Sequence, residues 1–200
     1  MRGSPAARLC ALSALLVALS TVVDARHGPV PSKGLFERAD DNDFGIHLSS
    51  EVSPELMLET CFIQARHNIS AAIYKFSDEH VYETLRESIH LRKDLKVRLV
   101  VNKDTTSKDQ DEWLRSLKSA GNDVEIKYWE KNGEEKFQKL HAKFTLCDDL
   151  AVMGSANWSE NSCDGNNMEL LVVHRMPAVG AQMRGAFETL WASNHATSIE

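Results

Sequence analysis

From residue 44 onwards, short apolar runs alternate with amphipathic stretches. Residues 44–48 read as a strand. Ser53-Pro54-Glu55 then supplies an N-cap, a proline at the first helical position and an early acid, which starts a helix reaching about His67. Residues 69–76 are β-branched and apolar between polar flanks, the pattern of a central strand. Ser77 or Asp78 caps a second helix to about Arg92, with Val81, Leu85 and Ile89 at intervals of four. A strand over 95–101, a helix over 106–120 closed by Gly121-Asn122, and a strand over 124–129 follow. Strand, helix and strand in turn with short connections imply right-handed βαβ units around a parallel sheet. Beyond a polar loop at 129–139 centred on Asn132-Gly133, residues 140–147 and 151–153 form a hairpin. A loop over 158–166, a strand over 168–174 and a helix over 178–191 close the chain, and no internal repeat is visible. The pattern predicts an α/β fold: one domain over 44–200 with a mixed, mostly parallel β-sheet flanked by helices.

The first 43 residues follow a different pattern. Arg2 and Arg8 accompany an apolar core over 9–23 and a small-residue exit at Val23-Asp24-Ala25, so residues 1–25 read as a secretory signal peptide cleaved before Arg26. Export to the outside or to an endomembrane lumen is the expectation. An uncleaved membrane anchor is the alternative, but an apolar stretch of about fifteen residues, broken by Ser13 and Ser20, falls short of the ~20 that span a bilayer. Residues 26–43 hold Gly28, Pro29, Pro31, Gly34 and an acidic run, and read as a flexible lead-in.

Removing Arg2, Arg8 and Asp24, a net +1, takes the formal charge from −6 to −7. Such a chain does not coat itself in a polyanion, and any attraction for one must be local. Lys127, Lys131, Lys136, Lys139 and Lys143 crowd one stretch, although loop charges of this kind usually serve solubility. Cys61, Cys147 and Cys163 remain after cleavage. Cys61 and Cys147 fall on apolar positions and read as small buried residues; if a disulfide does form, the odd number leaves one thiol free or paired between chains. No CxxC pair or Cys/His cluster points to zinc.

The chemistry concentrates between Leu140 and Asn157. His141 and Lys143, two apart on an extended segment, share a face roughly 7 Å apart along the backbone. Ser155 and Asn157 repeat that spacing after Gly154, and both offer side-chain donors to an anionic oxygen. Neutral imidazole can attack a phosphodiester without bringing negative charge, which makes His141 a candidate nucleophile. Lys143, Ser155 and Asn157 would neutralise the phosphate oxygens. His27, His47, His67, His80, His90, His174 and His195 lack such company and read as structural. Asn68-Ile69-Ser70 and Asn157-Trp158-Ser159 match glycan acceptors and Asn161-Ser162-Cys163 a weak variant of one, but a glycan on Asn157 would fill the proposed pocket.

Written as HxK(x)4D followed by GSxN, this stretch resembles the signature of the phospholipase D superfamily. The surrounding elements are similar to the small, single-motif branch of bacterial endonucleases and mitochondrial cardiolipin hydrolases, without the zinc-finger insertion of some of the latter. Five residues separate Asp148 from Gly154 where the family usually has six, which a hairpin turning at Asp148-Asp149-Leu150 would absorb. The resemblance adds Glu169 as the carboxylate that orients the histidine, and gives Asp148 a supporting structural role. It implies a phosphodiesterase working through phosphohistidine, with no cofactor and no catalytic metal. The substrate would be nucleic acid, as for a nuclease, or alternatively a cardiolipin-type phospholipid. A phosphate-binding module without turnover is a third possibility. One HxK motif per chain further implies a homodimer with the active site at its interface, and no stable membrane span after processing.

Overall fold

The computed structural model describes residues 44–133, 138–175 and 177–199. The leader over 1–25, the lead-in over 26–43 and Lys136 lie outside the described residues. Eight strands form one sheet in the order β1-β7-β6-β5-β2-β3-β4-β8. They are β1 (Phe44–Leu48), β2 (Asn68–Ile73), β3 (Lys96–Asn102), β4 (Val124–Trp129), β5 (Lys143–Cys147), β6 (Leu150–Gly154), β7 (Leu170–His174) and β8 (Ala196–Ser198). The helices are α1 (Pro54–Gln64), α2 (Glu79–Leu91), α3 (Lys108–Ala120), the single turn α4 (Glu160–Cys163) and α5 (Pro177–Trp191).

Only β2–β3 and β3–β4 pair parallel; the other pairings, β1–β7, β6–β7, β5–β6, β2–β5 and β4–β8, are antiparallel. The α/β class holds, but the sheet is mixed and mostly antiparallel rather than mostly parallel. Helical crossovers join adjacent strands only from β2 to β3 and from β3 to β4, while α1 and α5 carry the chain between strands that are not neighbours. A hairpin of two residues between β5 and β6 can join antiparallel strands only.

Local signals placed the helices well. Ser53 caps α1 by accepting from Leu56 N at 3.1 Å, Asp78 caps α2 through Val81 N at 2.9 Å, and Ser107 forms a capping box with Gln110 at the start of α3. Gly121 ends α3 where no side chain fits: a Cβ there would lie 2.6 Å from Ile89 Cγ2. Helix α1 stops at Gln64, short of His67, because the Asp148 carboxylate claims the N–H groups of Arg66, His67 and Asn68. Strand β5 starts at Lys143 rather than at residue 140, because the Leu140 N–H turns aside to Asn102 Oδ1 at 3.0 Å.

Cys61 of α1 and Cys147 of β5 are joined in a disulfide, which corrects their reading as free small core residues; Cys163 stays a buried thiol. The bond also shows how the layers are arranged. Cys147 faces α1, so its neighbour Leu146 points to the other side of the sheet, where it packs with Phe187 of α5. Helix α5 covers Ala72, Val100, Leu146 and Ala151 there, while the same face beyond it, on β7 and β1, is bare. Phe44, Ile46, Leu48 and Leu170 are 54, 57, 43 and 47 % exposed, and Met168 beside them is 68 % exposed.

Candidate active site

Pairing registers bring one set of strand ends to a single edge of the sheet. Ile73 of β2 lies beside both Lys143 and Val101, Asn102 beside Trp129, Gly154 beside Leu171, and Leu48 beside Leu170. The carboxyl ends of parallel strands are where open α/β sheets gather ligands. His141, Lys143, Ser155, Asn157 and Glu169 all lie at this edge. Asp148 lies at the opposite end of β5.

The shortened spacing is absorbed in the turn. Cys147 pairs with Leu150 across Asp148-Asp149, so Phe144 still meets Met153. Asp148 takes φ 53°, a left-handed conformation that Asp tolerates better than most residues. Its carboxylate accepts from Arg66 N at 2.6 Å, His67 N at 3.1 Å and Asn68 N at 2.8 Å. This is a structural tie, remote from the phosphate chemistry.

His141 is exposed and precedes β5, outside any strand. Lys143 Nζ stands 3.4 Å from its Nδ1 and 3.5 Å from its Nε2, and donates to the His141 carbonyl at 3.0 Å. Tyr74 packs its ring on the imidazole, centroids 4.7 Å apart with planes at 52°, and the same ring lies 5.2 Å from Lys143 Nζ. Burial pulls the Lys143 pKa down, against an upward pull from the Glu169 charge. Lys143 shares a small cleft with Pro54 and Leu58 of α1, Gly154, Ala156 and Trp158.

Gly154 is required by space: a Cβ would sit 2.0 Å from the Leu170 carbonyl oxygen. That close approach lets Ser155 N donate to Leu170 O at 3.0 Å, while Leu170 N donates to Ser155 Oγ at 3.0 Å. The Ser155 hydroxyl donates to Glu169, so it is engaged within the protein rather than aimed at solvent. Glu169 is 7 % exposed and also accepts from Ser162 Oγ at 2.7 Å and Asn167 Nδ2 at 3.4 Å. Its carboxylate is thus held by Ser155, Ser162 and Asn167, where a hydrogen bond to His141 was expected. Ser162 Oγ accepts from Asn157 N at 3.3 Å as well, coupling the two halves of the pocket wall. Asn157 Oδ1 is buried and has no hydrogen-bond partner among the described residues.

Three contributors escaped sequence reasoning. Asn102 ends β3 and anchors Leu140 ahead of His141; a polar residue closing an apolar parallel strand was its available signal. Tyr74 ends the β2 run in the same way. Ser162 sits in the single turn α4, where the sequence marks it only as part of a weak glycan-acceptor variant. Of the described lysines of the basic loop, Lys131 pairs with Asp104 at 3.0 Å and Lys139 is exposed. His195 stacks on Trp129 at 4.8 Å, and His174 is buried beside Met183. Among the described residues, one group could hold a metal ion: Glu55 and Glu59 of α1 with His80 of α2, ligand atoms within 4.8 Å. His80 is already bonded there to Glu59 and lies 3.4 Å from Glu55. The His141 site itself contains one carboxylate, Glu169, already committed to serine hydroxyls.

The family described as cardiolipin synthase, PLD-like domain matches residues 58–191. No curated protein sequence matches. A phospholipase D family member, Nuc from Salmonella typhimurium, superposes with TM-score 0.66 at 17 % identity, covering 80 % of this chain and 99 % of that one. NucT from Helicobacter pylori gives 0.63 at 18 % identity, covering 78 % and 100 %. Phosphatidylserine synthase from Haemophilus influenzae Rd KW20 gives 0.61 at 10 % identity, covering 78 % of this chain and 38 % of that one. Matched over residues 58–191 by that family and sharing the fold of Nuc and NucT, the chain belongs to the phospholipase D superfamily.

Proposed function

We propose that the protein is an exported nuclease that hydrolyses phosphodiesters through a phosphohistidine on His141, without a catalytic metal. The observation that carries this reading is the pairing of an exposed imidazole with a half-buried ammonium 3.4 Å away at the open edge of the sheet. The neutral imidazole attacks phosphorus, forming the N–P bond as the P–O bond to the leaving group breaks. Lys143 balances charge on the phosphate oxygens. A second group must protonate the departing alkoxide in the same step, and later take a proton from the water that hydrolyses the phosphohistidine. His141 cannot do both. We assign that task to the His141 of a second copy across a shared active site, which its exposure permits. The Cys61–Cys147 disulfide suits an oxidising compartment and supports export.

The second reading is a phospholipid substrate, favoured by the exposed Met168 and Leu170 on either side of Glu169. A phosphate-binding module without turnover is the remaining alternative, which turnover of any substrate excludes.

The test offers single-stranded DNA, double-stranded DNA, RNA and cardiolipin to the protein in EDTA. Cleavage of nucleic acid alone is the expected result. Cleavage of cardiolipin alone selects the second reading, and a requirement for a divalent ion overturns the metal-free mechanism. Sedimentation, with wild type mixed with His141→Ala, tests the shared site.

A further inference from the structure

His141 precedes β5 rather than lying in it, so its backbone is outside the strand ladder and its ring depends on side-chain contacts. The Glu169 carboxylate is bonded to Ser155, Ser162 and Asn167. The groups that do touch the imidazole are Lys143 and Tyr74. Tyr74 is well anchored for that purpose. It follows the last residue of β2, and its carbonyl accepts the Thr105 hydroxyl from the turn after β3. Two residues on, Phe76 is buried against Trp158 and Trp113, and Trp158 N donates to Lys75 O at 3.1 Å.

We propose that Tyr74 is a positioning residue of the reaction: its ring is the wall that holds the His141 imidazole, and its π face stabilises the cation that this imidazole becomes. The inference rests on His141 as the attacking group. As the N–P bond forms and the P–O bond breaks, the imidazole gains positive charge, and an aromatic face attracts such a cation. Lys143 Nζ, 5.2 Å from the same ring, is held by the same feature, so one side chain arranges both charged groups of the motif. The face of the ring carries the effect, and the phenol hydroxyl is dispensable.

The experiment compares Tyr74→Phe with Tyr74→Leu in the full chain. Phenylalanine keeps the face and leucine keeps only bulk. Turnover by the Phe variant should stay within about twofold of wild type, whereas the Leu variant should lose about tenfold in kcat with KM nearly unchanged, the size of one partly desolvated cation–π contact. The second readout needs no turnover: the His141 ring protons, followed by NMR, should be shifted upfield in wild type and in Tyr74→Phe and lose that shift in Tyr74→Leu. Tyr74→Met replaces the Leu variant if the latter does not fold. Wild-type kcat in a folded non-aromatic variant, or His141 resonances indifferent to the substitution, overturns the proposal. Should wild type cleave no phosphodiester at all, it is the reading of the enzyme that fails, and the NMR shift still decides where Tyr74 stands.

Discussion

The two ends of β5 carry two parts of one short motif and do different work. At its start, Lys143 and the preceding His141 stand against Tyr74 at the open edge of the sheet. At its end, Cys147 is cross-linked to α1 and Asp148 folds back onto three backbone N–H groups. The four steps between Lys143 and Cys147 span about 13 Å. A motif contiguous in sequence is therefore divided in space into a reactive end and an architectural end. Substitutions at one end should lower activity at constant stability, and those at the other should do the reverse.

The largest effect belongs to the reactive end. His141→Ala should lower phosphodiester cleavage by more than the ~10²–10⁴ that a general acid or base contributes, because it removes the bond-forming atom. Lys143→Ala should come close to it. The thermal midpoint of His141→Ala should barely move, since the side chain is exposed. Wild-type turnover by the folded alanine variant would end the nucleophile reading.

At the other end, replacing both Cys61 and Cys147 by serine opens a cross-link between residues 86 apart in sequence. The chain-entropy account assigns such a loop about 4.6 kcal/mol. Denaturant midpoints measured with and without reductant should register a loss of that order, while kcat of the folded variant stays near wild type. A disulfide-free protein with unchanged midpoint would show that the far end of β5 is not where stability resides.

Asp148→Ala is the finer probe of the same end. Three amide donors lose a charged acceptor, and partial rehydration of an accessible site leaves a cost of about 2–3 kcal/mol. Asp148→Asn should cost less, because asparagine keeps an acceptor oxygen and tolerates the left-handed φ. If either variant lost activity at unchanged stability, the division between the two ends would be wrong.

How much of this was legible in the sequence follows from the range of each interaction. Caps, strand ends and α2, with Val81, Leu85 and Ile89 at intervals of four, depend on neighbours within a turn or two, and residues 54–129 could be read directly. Strand partners are different. The run over 168–174 carries no mark saying that it pairs antiparallel between β1 and β6, so the sheet was read as mostly parallel. β8 is three residues long and was missed. The same logic divides the site. His141, Lys143 and Gly154 announce themselves by spacing, whereas Tyr74, Asn102 and Ser162 act only through partners 38 or more residues away in Leu140 and His141, or within a loop of no pattern. The Cys61–Cys147 bond joins apolar positions that looked like ordinary core.

The smallest expected effect sharpens the reactive end from within. Burial depresses the Lys143 pKa, and the Glu169 charge opposes that depression. Activity requires the ammonium form, so it should persist below the folded pKa of Lys143 and fall as pH rises through it. The alkaline limb of the kcat/KM profile therefore lies below the ordinary lysine range. Glu169→Gln removes the opposing charge while keeping a side chain that can accept from Ser162, so the Lys143 pKa should drop further and the limb should move to lower pH. A limb that stays in place, or moves upward, would mean that Glu169 serves only to hold Ser155 and Ser162, and that the electrostatics of the reactive end stop at His141, Lys143 and Tyr74.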